Sequence, residues 1–308
     1  MHAGSTMCRN LFFKRSIFMY TETAISNIIR VRTNTCHTRP EATMIAILLV
    51  AGYATRLYPL TINTPKPLLP VAGRAMLDYI VDEIDTLPDL HRICLITNHR
   101  FAVHFEEWAA CRRLSSVDVP ITVLDDGTTD DSNKKGAIGD IQYAIEALQI
   151  DDDVVIIAGD NLFTYRLKDM HDHFQKIRHD LLIAIHVPEK HQLQKLAVAT
   201  LDEHGKVLRM EEKPQEPESE TAIYATYFYR KETLPLIKTY LDEGNTPDAP
   251  GNFPSWLYKR QDVYAYLADG TCIDIGTPEN YRDVTENFHG LWSVRKELPN
   301  DTRKERKE

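Results

Sequence analysis

From residue 44 onward, short apolar runs alternate with stretches in which apolar residues recur every three or four positions. Met44–Val50, Arg92–Thr97, Ile121–Leu124, Val154–Ala158 and Leu181–His186 are the runs, and they predict strands in the middle of a sheet. Between them, Met76, Leu77, Ile80, Ile84 and Leu87 share one helical face, as do Ile138, Ile141, Ile145 and Leu148. Strands alternating with amphipathic helices imply an α/β fold with a right-handed, doubly wound sheet.

After residue 190 the rhythm changes. Leu196–Leu201, Lys206–Glu211, Ile223–Tyr229 and Asp262–Leu267 predict strands joined mostly by short turns such as Glu203-His204-Gly205. That half is expected to be antiparallel or mixed. With 308 residues the default is one core, so the two halves are read as parts of one domain over residues 44–292.

The flanks differ. Residues 1–43 carry six Lys or Arg against two acids, with many Ser and Thr and no strand or helix period. The composition is that of a transit peptide. Met44, however, stands where the first strand begins, so translation is expected to start there, leaving the upstream segment disordered or untranslated. Residues 293–308 read as a charged tail.

The chain holds 36 Lys and Arg against 45 Asp and Glu, a formal charge of −9, without a basic stripe, which argues against a nucleic-acid partner. No apolar run nears the roughly 18 residues needed to span a bilayer, so no membrane partner is expected. Five cysteines, odd in number and without Cys-x-x-Cys spacing, suggest neither a zinc knuckle nor a disulfide framework; a cytoplasmic location follows as the expectation.

Chemistry concentrates at strand ends. Directly after the first strand come Ala51-Gly52-Tyr53-Ala54-Thr55-Arg56, then Pro65-Lys66-Pro67. A tight turn in that place can aim amides at phosphate, and Arg56 and Lys66 add the charge that amides lack, a combination suited to a nucleoside triphosphate. Gly159-Asp160-Asn161 ends the fourth run and sets a carboxylate at the edge of the sheet. Asp274, within Cys272-Ile273-Asp274-Ile275-Gly276-Thr277-Pro278, offers a second just before a helix whose N-cap would be Thr277. Mg²⁺ takes one or two carboxylates beside phosphate oxygens, which these residues could provide.

The stretch Leu48 to Val71 resembles the signature of the sugar-phosphate nucleotidyltransferase family, the NDP-sugar pyrophosphorylases. That signature reads roughly Leu-Ala-Ala-Gly-x-Gly-Thr-Arg-Leu-x-Pro-Leu-Thr, followed by Pro-Lys-Pro-Leu-Leu-Pro-Val. The likeness continues through Gly159-Asp160-Asn161, Glu211-Glu212-Lys213-Pro214 and the Asp274 segment, from residue 44 to about 290. It implies a Rossmann-like mixed sheet of GT-A-like architecture, a single domain with a smaller antiparallel acceptor half. It further implies Mg²⁺-dependent nucleotidyl transfer from an NTP to a sugar 1-phosphate, yielding an NDP-sugar and pyrophosphate. In that scheme Ala51, Gly52, Tyr53, Ala54, Thr55 and Gly136 bind the nucleotide, Arg56 holds the leaving pyrophosphate and Lys66 the α-phosphate. Asp160 and Asp274 hold the metal. Lys213 takes the phosphate of the sugar phosphate, Glu212 a sugar hydroxyl, and Ala197 and Tyr224 shape the sugar pocket.

Several positions depart from the family pattern. Ala54 replaces its second glycine, and alanine is strained there if the backbone needs positive φ. Cys272 stands where tryptophan is usual. Leu196-Ala197-Val198-Ala199 and Tyr224-Ala225-Thr226-Tyr227 replace Tyr-Gly-Val-Val and Thr-Gly-Leu-Tyr, changes expected to narrow or reshape the sugar pocket. Around Asp125-Asp126-Gly127 and Lys135-Gly136-Ala137 the usual Leu-Gly-Thr-Ala is lost, so the base stays open, with backbone contacts expected near Gly136. A cytidylyltransferase for a polyol or choline-like phosphate is the alternative enzyme, a non-catalytic sensor of nucleotide or sugar phosphate the alternative class, and a homo-oligomer stays open.

Overall fold

Apolar residues on both faces make β1 (Met44–Leu49) a central strand. Ala46 and Leu48 turn to one core layer, Ile45 and Ile47 to the other. The computed structural model describes residues 43–115 and 119–287. The expected leader, apart from Thr43, the charged tail over 293–308 and the domain's last residues, 288–292, lie outside the described residues.

After β1 come a small ribbon, β2 (Pro70–Val71) with β3 (Arg74–Ala75), then α1 (Met76–Ile84), β4 (Leu90–Thr97), α2 (Ala102–Ser115), β5 (Ile121–Asp125), α3 (Ala137–Leu148) and β6 (Asp153–Ala158). Strands β4 and β6 flank β1 in parallel, and β5 extends the sheet beyond β4. Helices α1 and α2 bury Leu77, Ile80, Phe105 and Ala109 in one layer, and α3 buries Ile138, Ile141 and Ala144 in the other. This is the doubly wound half read from the sequence. Helix α1 stops at Ile84, so Leu87, expected on its face, reaches the same layer from the turn that follows.

The chain continues with β7 (Asn161–Phe163), α4 (Leu167–Ile177), β8 (Asp180–His186), α5 (Lys190–Leu193), β9 (Ala197–Leu201), β10 (Val207–Glu212), β11 (Thr221–Tyr229), α6 (Leu234–Asp242), α7 (Asn252–Leu257), β12 (Val263–Leu267), β13 (Cys272–Asp274) and α8 (Pro278–Asn287). Strand β11 runs antiparallel to β8 on one side and to β9 and then β6 on the other. The change of partner coincides with a register shift between Tyr224 and Tyr227, a bulge that lets one strand serve two neighbours.

The second half is mixed, within the expectation. Strand β12 lies parallel to β8, and β11 reaches it through α6 and α7 instead of a short turn. Leu234, Ile237 and Tyr240 bury one face of α6, and Pro235 sits in its first turn, where a missing N–H costs nothing. The acceptor half continues the same sheet, because β11 pairs directly with β6. Among the described residues no helix is long and apolar enough to cross a membrane.

Candidate active site

Where β1 ends, the backbone turns sharply under side-chain control. Asn98 Nδ2 donates to the carbonyl of Ala51 at 2.8 Å, and Thr61 Oγ1 to that of Ala54 at 2.8 Å. Ala54 itself is left-handed, φ 47° and ψ 45°. The strain anticipated from its replacing glycine is therefore present, at about 1–2 kcal/mol for a residue with a Cβ. A small apolar cluster of Leu57, Leu69, Val71, Met76, Tyr79, Leu162 and Ile275 offsets it by pinning the loop against β7 and the segment after β13. The loop thus presents exposed Arg56 on one side of a cleft and buried Lys66 at its floor.

Lys66 lies in a 3-10 turn between Pro65 and Pro67, whose rings fix the local φ. Its side chain is 6% exposed, and its Nζ lies 3.0 Å from Asp160 Oδ2 and 3.6 Å from Asp274 Oδ1. Asp160 follows β6 through Gly159, where an added Cβ would come within 2.4 Å of Val50 Cγ1; only glycine lets β6 pass so near β1. Asp274 arrives through β13, which pairs antiparallel with β7 and sets Asp274 opposite Asn161. Three-residue strands thus bring together carboxylates remote in sequence. At Gly276 a methyl group would meet Asp274 at 3.2 Å and the Arg56 guanidinium at 3.7 Å, which shows how closely these groups gather.

A cavity of about 490 Å³ opens between this loop and the start of α3. Ala51, Gly52, Tyr53, Ala54, Thr55, Arg56, Lys66, Gly136 and Asp160 all line it, so the nucleotide-binding set read from the sequence is brought together. Gly136 has φ 78°, and a Cβ there would sit 2.7 Å from the carbonyl oxygen of Pro247. Backbone conformation and space both demand glycine. The amides of Ala137 and Ile138 already donate to the carbonyls of Asp248 and Pro247, at 3.3 and 2.9 Å. Backbone contact near Gly136 is thereby narrower than expected, since these first amides of α3 are engaged.

The sequence reading passed over Asp140 and named Asp126 only as part of a loop. Both line the cavity and each is 5% exposed. Asp126 Oδ1 accepts from the amide and hydroxyl of Thr128, both at 2.7 Å, and Tyr53 reaches that hydroxyl at 3.4 Å. Burial, and then the neighbouring charge of Asp126, push the Asp140 carboxyl up to about 8. Its Oδ1 is buried without a hydrogen-bond partner. An acid in the first turn of a helix is ordinarily placed by the helix dipole, so the sequence carried no signal of this pair.

The acceptor set lies apart from that cavity's lining. Ala197 and Glu212 are paired across β9 and β10, and Lys213, left-handed at φ 51°, donates its amide to the carbonyl of Leu196 at 3.0 Å. Lys213 Nζ stands 3.7 Å from Glu212 Oε1. Burial raises the Glu212 pKa against the pull of Lys213. A Cβ on Gly251 would collide with Glu212 Oε2 at 2.1 Å, so glycine clears room for that carboxylate. At Tyr224, burial foremost, then the neighbouring Cys272 and Asp274, push the phenol up to about 12.

The family described as nucleotidyl transferase matches residues 45–289. The bifunctional protein GlmU of Methanocaldococcus jannaschii is 27% identical over 238 residues, covering 76% of this chain and 52% of its own length. A glucose-1-phosphate adenylyltransferase of Desulfitobacterium hafniense is 27% identical over 250 residues, 77% of this chain and 62% of its own. The chain thus spans between half and two thirds of the length of these relatives. Among solved structures, a UDP-glucose pyrophosphorylase complexed with UDP-glucose superposes with a TM-score of 0.65 at 19% identity, covering 79% of this chain and 97% of that one. A UTP-bound enzyme of the same kind from Acinetobacter baumannii gives 0.64 at 16%, covering 82% and 98%. At such identity the structures attest the fold alone.

Proposed function

The chain belongs to the nucleotidyl transferase family, and from that premise we propose that it transfers a nucleotidyl group from an NTP to a sugar 1-phosphate, releasing pyrophosphate. The observation that carries the reading is Lys66, a buried ammonium held 3.0 and 3.6 Å from two carboxylates at the floor of a nucleotide-sized cavity. The names of the adenylyltransferase relatives refer to glucose 1-phosphate, which supports a sugar phosphate as acceptor.

Asp160 and Asp274 would hold Mg²⁺. The fit is chemical: two carboxylates already gathered around a positive charge, 47% and 63% exposed, leave the remaining positions to phosphate oxygens and water. Among the described residues no group of three or more metal-ligating side chains occurs, which suits an ion completed by its substrate. When bound, the ion neutralises charge on the reacting phosphates.

The chain's own residues do the rest. Two anions must meet, so cations have to offset their repulsion. Lys66 neutralises the α-phosphate, Arg56 holds the departing pyrophosphate, and Lys213 receives the phosphate of the acceptor while Glu212 takes a sugar hydroxyl. An oxygen of the sugar phosphate forms its bond to the α-phosphorus as the bond to pyrophosphate breaks. The nucleophile is already ionised, so the scheme needs no general base and no covalent enzyme intermediate. We put the reaction in the cytoplasm, where the buried thiol of Cys94 stays reduced.

The test is pyrophosphate release by the full chain with Mg²⁺, the common NTPs, and a panel of sugar 1-phosphates and polyol phosphates. Release with a sugar 1-phosphate, lost in Asp160→Ala, is expected. Release with a polyol phosphate alone would move the acceptor to that class. Triphosphate binding without release across the panel would favour a sensor.

A further inference from the structure

We infer that Asn98 is a positioning residue for the donor triphosphate: it sets the peptide that carries the first phosphate-facing amide of the loop after β1. The inference rests on the nucleotidyl-transfer reading and adds to it a residue that lies outside the cavity's lining.

The last backbone bond from the end of β1 to β4 runs from the amide of Val50 to the carbonyl of Ile96, at 2.9 Å. From Ala51 to Arg56 the chain then leaves the sheet, and none of its amides meets an acceptor among the described residues. Such a loop can serve phosphate only if something fixes the direction of its peptides. Asn98, fully buried at the end of β4, does so at the near end. Its Nδ2 donates to the carbonyl of Ala51 at 2.8 Å, and its Oδ1 accepts from the amide of Phe101, just ahead of α2, at 3.1 Å.

The peptide between Ala51 and Gly52 is trans and planar, so its N–H points opposite its carbonyl. With the carbonyl drawn toward buried Asn98, the Gly52 N–H faces the exposed side. There Gly52 lines the cavity, and a Cβ on it would meet nothing within 4 Å. A side-chain amide suits both of Asn98's contacts at once, donating through nitrogen and accepting through oxygen. A carboxylate could still accept from Phe101 but would set a second acceptor against the Ala51 carbonyl; alanine would make neither bond. The same strand end holds the opposite lip of the cavity by backbone alone. Asp126 donates its amide to the carbonyl of Thr97, and His99 donates its own to that of Thr128, both at 2.9 Å. Those bonds do not use the Asn98 side chain, so a variant there addresses the loop after β1.

The experiment is equilibrium titration of the full chain with ATP, GTP, CTP, UTP and dTTP, each with Mg²⁺, at pH 6 and pH 9, repeated with Asn98→Asp and Asn98→Ala. The triphosphate that the wild type binds best should bind Asn98→Ala about tenfold more weakly at both pH values. In Asn98→Asp the loss should be about tenfold to a hundredfold at pH 9. It should shrink at pH 6, because burial favours a protonated carboxyl, whose O–H can donate to Ala51 in place of the amide. The neighbouring His99–Asp125 pair, 2.6 Å apart, is common to all three proteins and cancels in the comparison. Thermal melts show which variants are folded, and Asn98→Ala carries the test if the charged variant is not. Wild-type affinity in Asn98→Ala, or a loss in Asn98→Asp that is the same at both pH values, would overturn the inference and leave nucleotidyl transfer standing. Failure of the wild type to bind any triphosphate would overturn both.

Discussion

Replacing Asp140 by asparagine should stabilise the ligand-free protein, and much more at pH 8 than at pH 5. In the unfolded chain this carboxyl loses its proton near 3.8, whereas in the fold it holds it to about 8. Between those values the unfolded chain binds fewer protons than the native one, so native stability falls as pH rises and the loss is complete above the folded value. At about 1.4 kcal/mol per pH unit, the loss is on the order of 5 kcal/mol at pH 8 and only about 1–2 kcal/mol at pH 5. Asparagine keeps the shape and has no charge to hide. A gain of a few kcal/mol at pH 8 would raise the Tm by roughly 5–10 °C for a domain of this size. Urea and thermal denaturation of both proteins at the two pH values measure it. Asp180, pushed up to about 6 mainly by burial, is common to both and cancels in the difference. A difference independent of pH, or a less stable variant at pH 8, would refute the reasoning.

Lys66→Met keeps the apolar stem and drops the ammonium. Because Asp160 and Asp274 are 47% and 63% exposed, water screens them once the ammonium is gone. Stability should then move by less than about 1 kcal/mol, while pyrophosphate release falls by about 10²–10³-fold; near-normal turnover would remove Lys66 from the transition state. Lys213, 58% exposed, can be cut to alanine without disturbing the core. Steady-state kinetics of Lys213→Ala should show the KM for sugar phosphate up by about 10- to 100-fold, and an unchanged KM would take Lys213 out of the acceptor site.

The parallel half was legible because its strands are long apolar runs and its helices keep their period: Ile45 and Ile47 face one layer and Ala46 and Leu48 the other. The loop carrying Arg56 and Lys66 was legible because its chemistry is local. Three features were not. Strands β7 and β13 are too short to show an alternation, so the meeting of Asp160 and Asp274 could be inferred only from resemblance. The partner change along β11 depends on a bulge beyond Tyr224 that no composition marks. The burial of Asp126 and Asp140, each 5% exposed, could not be read either, because each residue alone looks like an ordinary surface acid.

The small cluster around Leu57, Val71 and Ile275 bears on how such enzymes can be recombined. It ties a loop near the start of the domain to a segment near its end, and Tyr281 of α8 strengthens the tie by donating to the carbonyl of Pro70 at 2.7 Å. A crossover anywhere between the two segments would graft one parent's cation loop onto the other parent's Asp274 segment and mismatch their packing. Functional chimeras should therefore keep both segments from a single parent and exchange only what lies between, as a cassette with two junctions.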